Sequence, residues 1–226
     1  MALAMGLTVV TGANRGIGLA LAAALKQRGA SVLAVCRNSS ADLAKLGVEV
    51  VEGVDVSTDP GLVVLTTAVG TRSIDLLVNN AGILVWGDRL GELDVAGIRK
   101  QFEVNALAPL RVTDALRERL APNAKVALIT SRMGSIDDNS SGGAYGYRMS
   151  KAALNMAGKS LAVDLRSRGV AVAILHPGMV NTDMIGGHGG QVEPADAARD
   201  LLARIDALTL KTTGTFWHAN GQKLPW

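Results

Sequence analysis

Residues 7–10, Leu7-Thr8-Val9-Val10, form a short β-branched apolar run that empties into a cluster of glycines, and the residues beyond have helical spacing. Ile17, Leu21, Ala24 and Leu25 fall on one helical face, and Gly29 stands where such a helix would end. The same change of period recurs along the chain. Strand-like runs are read at 31–36, 48–51, 74–78, 126–130, 170–175 and 215–218, and helices at 60–69, 95–119, 146–168 and 194–208. The strand runs are apolar on consecutive residues rather than alternate ones, as strands covered on both faces are. This alternation predicts an α/β fold: a doubly wound parallel sheet of about seven strands with helices on both faces. The 226 residues suit one such domain over 1–226, and the glycine-rich stretch 186–190 reads as a loop inside it.

Charge and cysteine content narrow the partners. Lys and Arg number 23 against 20 Asp and Glu, and they are spread along the chain, so no nucleic-acid surface is expected. Cys36 is the single cysteine, which excludes an intrachain disulfide and fits a reducing compartment. Residues 1–5 are too few for a signal peptide, and no apolar run approaches the roughly 18 residues of a membrane span. The expectation is a cytoplasmic protein with no membrane partner.

The glycine cluster reads Thr11-Gly12-Ala13-Asn14-Arg15-Gly16-Ile17-Gly18. It lies between the first strand and the first helix, where unpaired backbone N–H groups and the helix dipole favour a pyrophosphate. Gly12, Asn14, Arg15, Gly16, Ile17 and Gly18 are therefore candidates to cradle a dinucleotide. The spacing is G-x-x-x-G-x-G rather than G-x-G-x-x-G. The second strand ends Val35-Cys36-Arg37-Asn38, without the carboxylate that an NAD site places against the ribose 2′-hydroxyl. Arg37 and Arg15 could pair with a 2′-phosphate, and Asn38 adjoins them, so NADP(H) is expected over NAD(H).

Tyr147 and Lys151 lie four residues apart, so on a helix both reach one pocket. A free phenol has a pKa of about 10, and a neighbouring ammonium is expected to lower it and make Tyr147 a usable proton donor. Tyr145 is an internal control, because its i+4 residue is Met149.

With these elements in order, the chain resembles the short-chain dehydrogenase/reductase family. The resemblance rests on Thr11 to Gly18, Asn79-Asn80-Ala81-Gly82 after the fourth strand, Ser131 at the end of the fifth, Tyr147 with Lys151, and Pro177-Gly178 after the sixth. It implies a single-domain Rossmann fold and hydride transfer between nicotinamide and a carbonyl or alcohol carbon. It further implies that Ser131 orients the substrate oxygen, Tyr147 exchanges the proton, Lys151 also holds the nicotinamide ribose, and Asn105 helps hold a water in the relay. Asp55 and Val56 would meet the adenine and Asn80, Ala81 and Gly82 the adjoining ribose. Pro177, Gly178, Val180 and Thr182 would lie by the nicotinamide. Asn79 is expected to tie loops together.

Ser131 precedes Tyr147 by 16 residues, about three more than the family often has, and Asp137 to Gly143 reads as an enlarged loop bulging outward. Together with Ser131-Arg132-Met133-Gly134-Ser135 it most resembles the carbonyl-reductase-like branch. Met133, Trp86, Met179, Met184 and Ile185 are candidate pocket residues, which points to small apolar aldehydes or ketones. His176, His188 and His218 show no metal-ligand spacing, so no metal is expected, and His176 is read as structural. No G-x-S-x-G elbow is present. Trp217 is assigned to the core. Ala152, Ala153, Ala157, Gly158 and Ala162 would permit close packing, either in a homodimer or homotetramer or within one chain. The competing function is a cofactor-binding regulatory or signalling protein with little turnover.

Overall fold

A computed structural model describes residues 6–186 and 189–226; the readings placed on residues 1–5, on His188 and on the middle of the glycine-rich loop lie outside the described residues. Seven strands make one sheet: β1 (Leu7–Thr11), β2 (Ser31–Val35), β3 (Glu49–Val51), β4 (Ile74–Asn79), β5 (Leu120–Ile129), β6 (Ala171–His176) and β7 (Phe216–His218). Their order is β3-β2-β1-β4-β5-β6-β7 and every pairing is parallel, which is the expected doubly wound Rossmann arrangement. The helices are α1 (Gly16–Gln27), α2 (Ala41–Lys45), α3 (Asp59–Val69), α4 (Val95–Phe102), α5 (Ala108–Leu116), α6 (Tyr145–Asp164) and α7 (Pro194–Asp206).

The two-residue period of a strand sends neighbours to opposite faces, and this chain fills both with apolar side chains. Val9, Leu33, Leu77, Val126 and Leu128 pack under Leu65 of α3, Val112 of α5 and Leu154 of α6. Val10, Ala34, Leu76, Val78 and Ala127 pack under Leu21 and Leu25 of α1 and Leu201, Leu202 and Ile205 of α7. Each fully buried leucine contributes about 2 kcal/mol relative to an exposed one. Gly158 lets α6 lie close on the sheet, because a Cβ there would come within 2.8 Å of Leu128 and Ile174 side-chain carbons. The small residues Gly158 and Ala162 thus serve packing within the chain.

Three expectations are corrected. The helix expected over 95–119 is interrupted: a π-helical turn, Glu103–Leu107, separates α4 from α5, and a 3-10 turn, Arg117–Arg119, follows. The fifth strand begins at Leu120, not at 126, with an irregular register between the pairs Ile74–Leu120 and Leu76–Lys125; Pro122 lacks a donor and Asn123 is left-handed at φ 66°. The sixth helix stops at Asp164 and a 3-10 turn, Arg166–Arg168, completes the stretch. Five-residue α2 went unread; Ser40 caps it by accepting the Leu43 N–H at 3.1 Å. Trp217 is half-buried against the core as expected. Among the described residues no helix is long and apolar enough to cross a membrane.

Candidate active site

The carboxyl ends of the strands open into a cleft of about 1440 Å³. That exceeds the roughly 300–1,000 Å³ of a pocket for one small molecule and leaves room for a dinucleotide with a substrate beside it. At one end lie Gly12, Asn14, Arg15, Gly16 and Ile17, with Arg37, Asn38, Asp55 and Val56. Asn80, Ala81 and Gly82 line the middle. Ser131, Tyr147, Lys151, Pro177, Gly178 and Val180 also line the cleft, and Thr182 returns to the glycine loop, where a Cβ on Gly16 would lie 3.3 Å from its methyl group. Gly18 and Asn105 do not reach the cleft wall.

The glycine loop is shaped by its contacts. Gly12 and Gly16 take positive φ, 66° and 54°, which glycine adopts without strain. Gly18 lies beneath the turn, where a Cβ would run into the Gly12 carbonyl and the Asn80 amide. Asn80 donates to the carbonyls of Thr11 and Gly12 at 3.0 and 3.1 Å, fastening the loop to the end of β4. Asn79 is buried and donates to Thr113 Oγ1, a tie rather than a cleft contact. Such a turn, with backbone close to open space and a helix N-terminus behind it, fits a pyrophosphate.

Arg37 lines the cleft without a carboxylate from its own strand end; Glu52 is turned onto the Ser39 amide at 2.6 Å. Arg15 instead reaches across the mouth to Asp183 at 3.0 Å, both side chains largely exposed. Asp55 is held below the usual carboxylate range, first by the Ser57 hydroxyl and amide and more weakly by Arg37 and Lys100.

At the substrate end, Tyr147 and Lys151 share one face of α6, as their spacing predicts. Lys151 is 5% exposed, and burial pulls its ammonium down to about 8. It donates to the Ile129 carbonyl at 3.0 Å and sits 5.7 Å from the centroid of the Tyr147 ring. The expectation of an acidic phenol is not met: burial pushes Tyr147 up to about 12, and the Ser131 hydroxyl beside it only partly opposes this. Asn105 is fully buried. It accepts the Ile83 N–H at 2.8 Å and donates to the Ile83 carbonyl at 2.9 Å and to Ser150 Oγ at 3.1 Å. The π-helical turn places it there.

The enlarged loop leaves Asn139 to Gly142 exposed, as expected, but Asp138 turns back to the cleft and pairs with Arg132 at 2.5 Å. Ser135 Oγ and the amides of Ile136 and Asp137 all donate to the Trp226 carbonyl, and the Trp226 ring stacks over Phe216. Trp86, Met133, Met179, Met184 and Ile185 line the cleft. His176, read as structural, lines it too. Its Nδ1 is buried without a partner among the described residues, and its ring meets His218 edge-on at 4.9 Å. Burial, with His218, Arg132 and Lys151 beside it, holds His176 down to about 3. Sequence reasoning also missed Arg148 and Lys100 in the cleft wall and the buried Asp88 behind it. No group of His, Cys, Asp and Glu among the described residues could hold a metal.

Comparison with known proteins places this geometry. A family model for short chain dehydrogenases matches residues 7–191. A Rhodococcus protein named 1-hydroxy-2-glutathionyl-2-methyl-3-butene dehydrogenase is 42% identical over 227 residues, covering 98% of this chain and 100% of the relative. A Myxococcus xanthus protein named C-signal is 46% identical over 162 residues, covering 71% of this chain and 97% of the relative. A carbonyl reductase from Pseudomonas aeruginosa, solved in complex with NADP, superposes with a TM-score of 0.83 at 32% identity, covering 99% of this chain and all of the other.

Proposed function

Because the chain belongs to the short-chain dehydrogenase/reductase family, we propose that it is an NADP(H)-dependent oxidoreductase that interconverts a carbonyl compound and its alcohol. The observation that carries this reading is one cleft joining the glycine loop to Ser131, Tyr147 and Lys151. NADPH held by the glycine loop and Arg37 would supply the hydride. Ser131 holds the substrate oxygen, and the Tyr147 hydroxyl gives it a proton. With its pKa near 12 the phenol is fully protonated at neutral pH, the form a reduction needs. Lys151 stays largely cationic near pH 7 and favours the phenolate left behind. Asn105 acts from behind, through Ser150, whose hydroxyl donates to the Tyr147 carbonyl at 2.8 Å.

Arg37 in the cleft and the NADP in the Pseudomonas reductase support NADP(H). The Rhodococcus relative is named for oxidising an alcohol and the Pseudomonas protein for reducing a carbonyl, which are two directions of one reaction. The apolar wall of Trp86, Met133 and Met184 supports small apolar aldehydes or ketones. Exposed Met149, Met156 and Val163 along α6 support a homo-oligomer. The name of the Myxococcus relative favours a second reading, a signalling protein in which turnover is secondary.

The test is Tyr147→Phe, assayed with NADPH against aldehydes, ketones and quinones. Turnover should fall by about 100-fold or more while NADPH still binds. A biological role that survives this change undiminished would favour signalling, and a wild-type protein that reduces none of the panel would sink the enzymatic reading.

A further inference from the structure

The turn that carries Tyr147 is held from outside its own helix. Ala144, which precedes α6, has no side-chain acceptor and takes the left-handed conformation at φ 48°. Asp88, in the segment after β4, supplies what is missing. Its Oδ2 accepts the Gly146 N–H at 2.5 Å, and its carbonyl accepts the Ala144 N–H at 3.1 Å. Asp88 is 5% exposed, and its Oδ1 is buried with no partner among the described residues. A buried carboxylate is costly unless compensated. The first-turn amide and the positive end of the α6 dipole provide that compensation.

The same turn is wedged from the other side. A Cβ on Gly146 would run into the Gln101 side chain and Ile98 of α4. Gln101, 1% exposed, also accepts the Val85 N–H at 3.0 Å. The segment 85–88 is therefore tied at one end to α4 and at the other to α6, and Trp86 of the cleft wall lies between the two ties.

We propose that Asp88 is a positioning residue: its carboxylate fixes the first turn of α6 and so sets the Tyr147 hydroxyl against the substrate wall around Trp86. The proposal rests on Tyr147 being the proton donor. Gly146 is one residue from Tyr147, so a loosened Gly146 amide moves the phenol. A misplacement of about 1 Å can cost about 100-fold in rate.

The experiment compares Asp88→Ala and Asp88→Asn in the full chain, with NADPH and 4-nitrobenzaldehyde as the probe pair. NADPH binding is followed by fluorescence, and amide hydrogen exchange is read across 144–149. Asp88→Ala should lower kcat by about 100-fold, leave NADPH affinity unchanged, and speed exchange at Gly146 and Tyr147. Asp88→Asn keeps an acceptor for Gly146 and should recover most of the lost kcat and protection. Three results would overturn the proposal: an Asp88→Ala protein with wild-type protection at Gly146, one whose kcat holds despite faster exchange, or one whose loss the Asn variant does not relieve. A wild-type protein that reduces neither the probe nor any other carbonyl compound sinks the reading of Tyr147 before any variant is made, and this proposal with it.

Discussion

The Lys151 ammonium is bound to the Ile129 carbonyl at 3.0 Å and lies 5.7 Å from the Tyr147 ring centroid, so it faces the phenol without bonding to it. Buried this way, the cation weakens the fold that needs it. Its pKa falls from 10.5 to about 8, a penalty of about 3 kcal/mol at neutral pH. Between pH 8 and 10.5 the unfolded chain carries this proton and the folded one does not, so the penalty fades as pH rises. Tyr147 acts oppositely: the unfolded phenol ionises first, and stability falls as pH climbs from 10 towards 12. Lys151→Met should abolish turnover yet raise the urea midpoint at pH 7. The net gain is at most about 2 kcal/mol, since the Ile129 carbonyl loses a donor worth about 1. The advantage should be gone by pH 10.5. A variant less stable than wild type at pH 7 contradicts this account.

The proposed NADP(H) preference is tested at Arg37. This side chain lines the cleft, and Glu52, just past the neighbouring strand β3, is occupied by the Ser39 amide. A guanidinium–phosphate contact contributes about 1.5–3 kcal/mol. Arg37→Glu should therefore cut kcat/KM for NADPH by about 10–100-fold and leave that for NADH equal or higher. The loss should shrink at high salt, because the site is open to solvent. A wild-type preference for NADH would refute the NADP(H) assignment outright.

Local signals in the chain were readable, and distant pairings were not. The glycine turn, the buried strands and the Tyr147–Lys151 face follow from residue spacing alone, and the structure reproduces each. The π-helical turn was hidden because Glu103 to Leu107 continue a helical pattern without a break. Asp88 was hidden because its partner, Gly146, is 58 residues away. His176 looked like an ordinary strand end, and only the closeness of β7 reveals the ring of His218 against it. The direction of the Tyr147 shift went wrong for a related reason. A neighbouring ammonium can be read from spacing, but the depth of burial that outweighs it cannot.

Asn105 is where the π-helical turn becomes useful. Its amide closes both backbone groups of Ile83 and holds Ser150, which in turn bonds the Tyr147 carbonyl. Gly82 sits between the Asn105 oxygen and the Lys151 ammonium, where a Cβ would lie 3.2 and 3.7 Å from them. Asn105→Ala leaves the half-buried Ile83 groups and the buried Ser150 hydroxyl without the amide, at a cost of about 2–4 kcal/mol. The Tm should drop by about 5–10 °C, and kcat should fall further than the lost folded fraction explains. Calorimetry beside steady-state rates separates the two effects. An unchanged Tm would show that water replaces the amide at no cost.

His176 contributes to the loss of stability in acid. Its ring is half-buried at the end of β6, with Nδ1 enclosed, among His218, Arg132 and Lys151, all cationic or able to become so, and among the described residues no carboxylate offsets them. The folded protein therefore keeps it neutral down to about pH 3, whereas the unfolded chain protonates it near 6.5. Between those values the unfolded state binds the extra proton, so stability is lost as pH falls, by up to about 4 kcal/mol. His176→Gln removes this titration and preserves a polar group at the cleft wall. Its urea midpoint should match wild type within experimental error at pH 7.5 and exceed it at pH 4.5. Carboxylates such as Asp55, held low by Ser57, titrate alike in both proteins and cancel in the comparison. Parallel stability curves for the two proteins across this range would show that the imidazole finds a proton acceptor when charged, and the loss of stability in acid would then arise elsewhere.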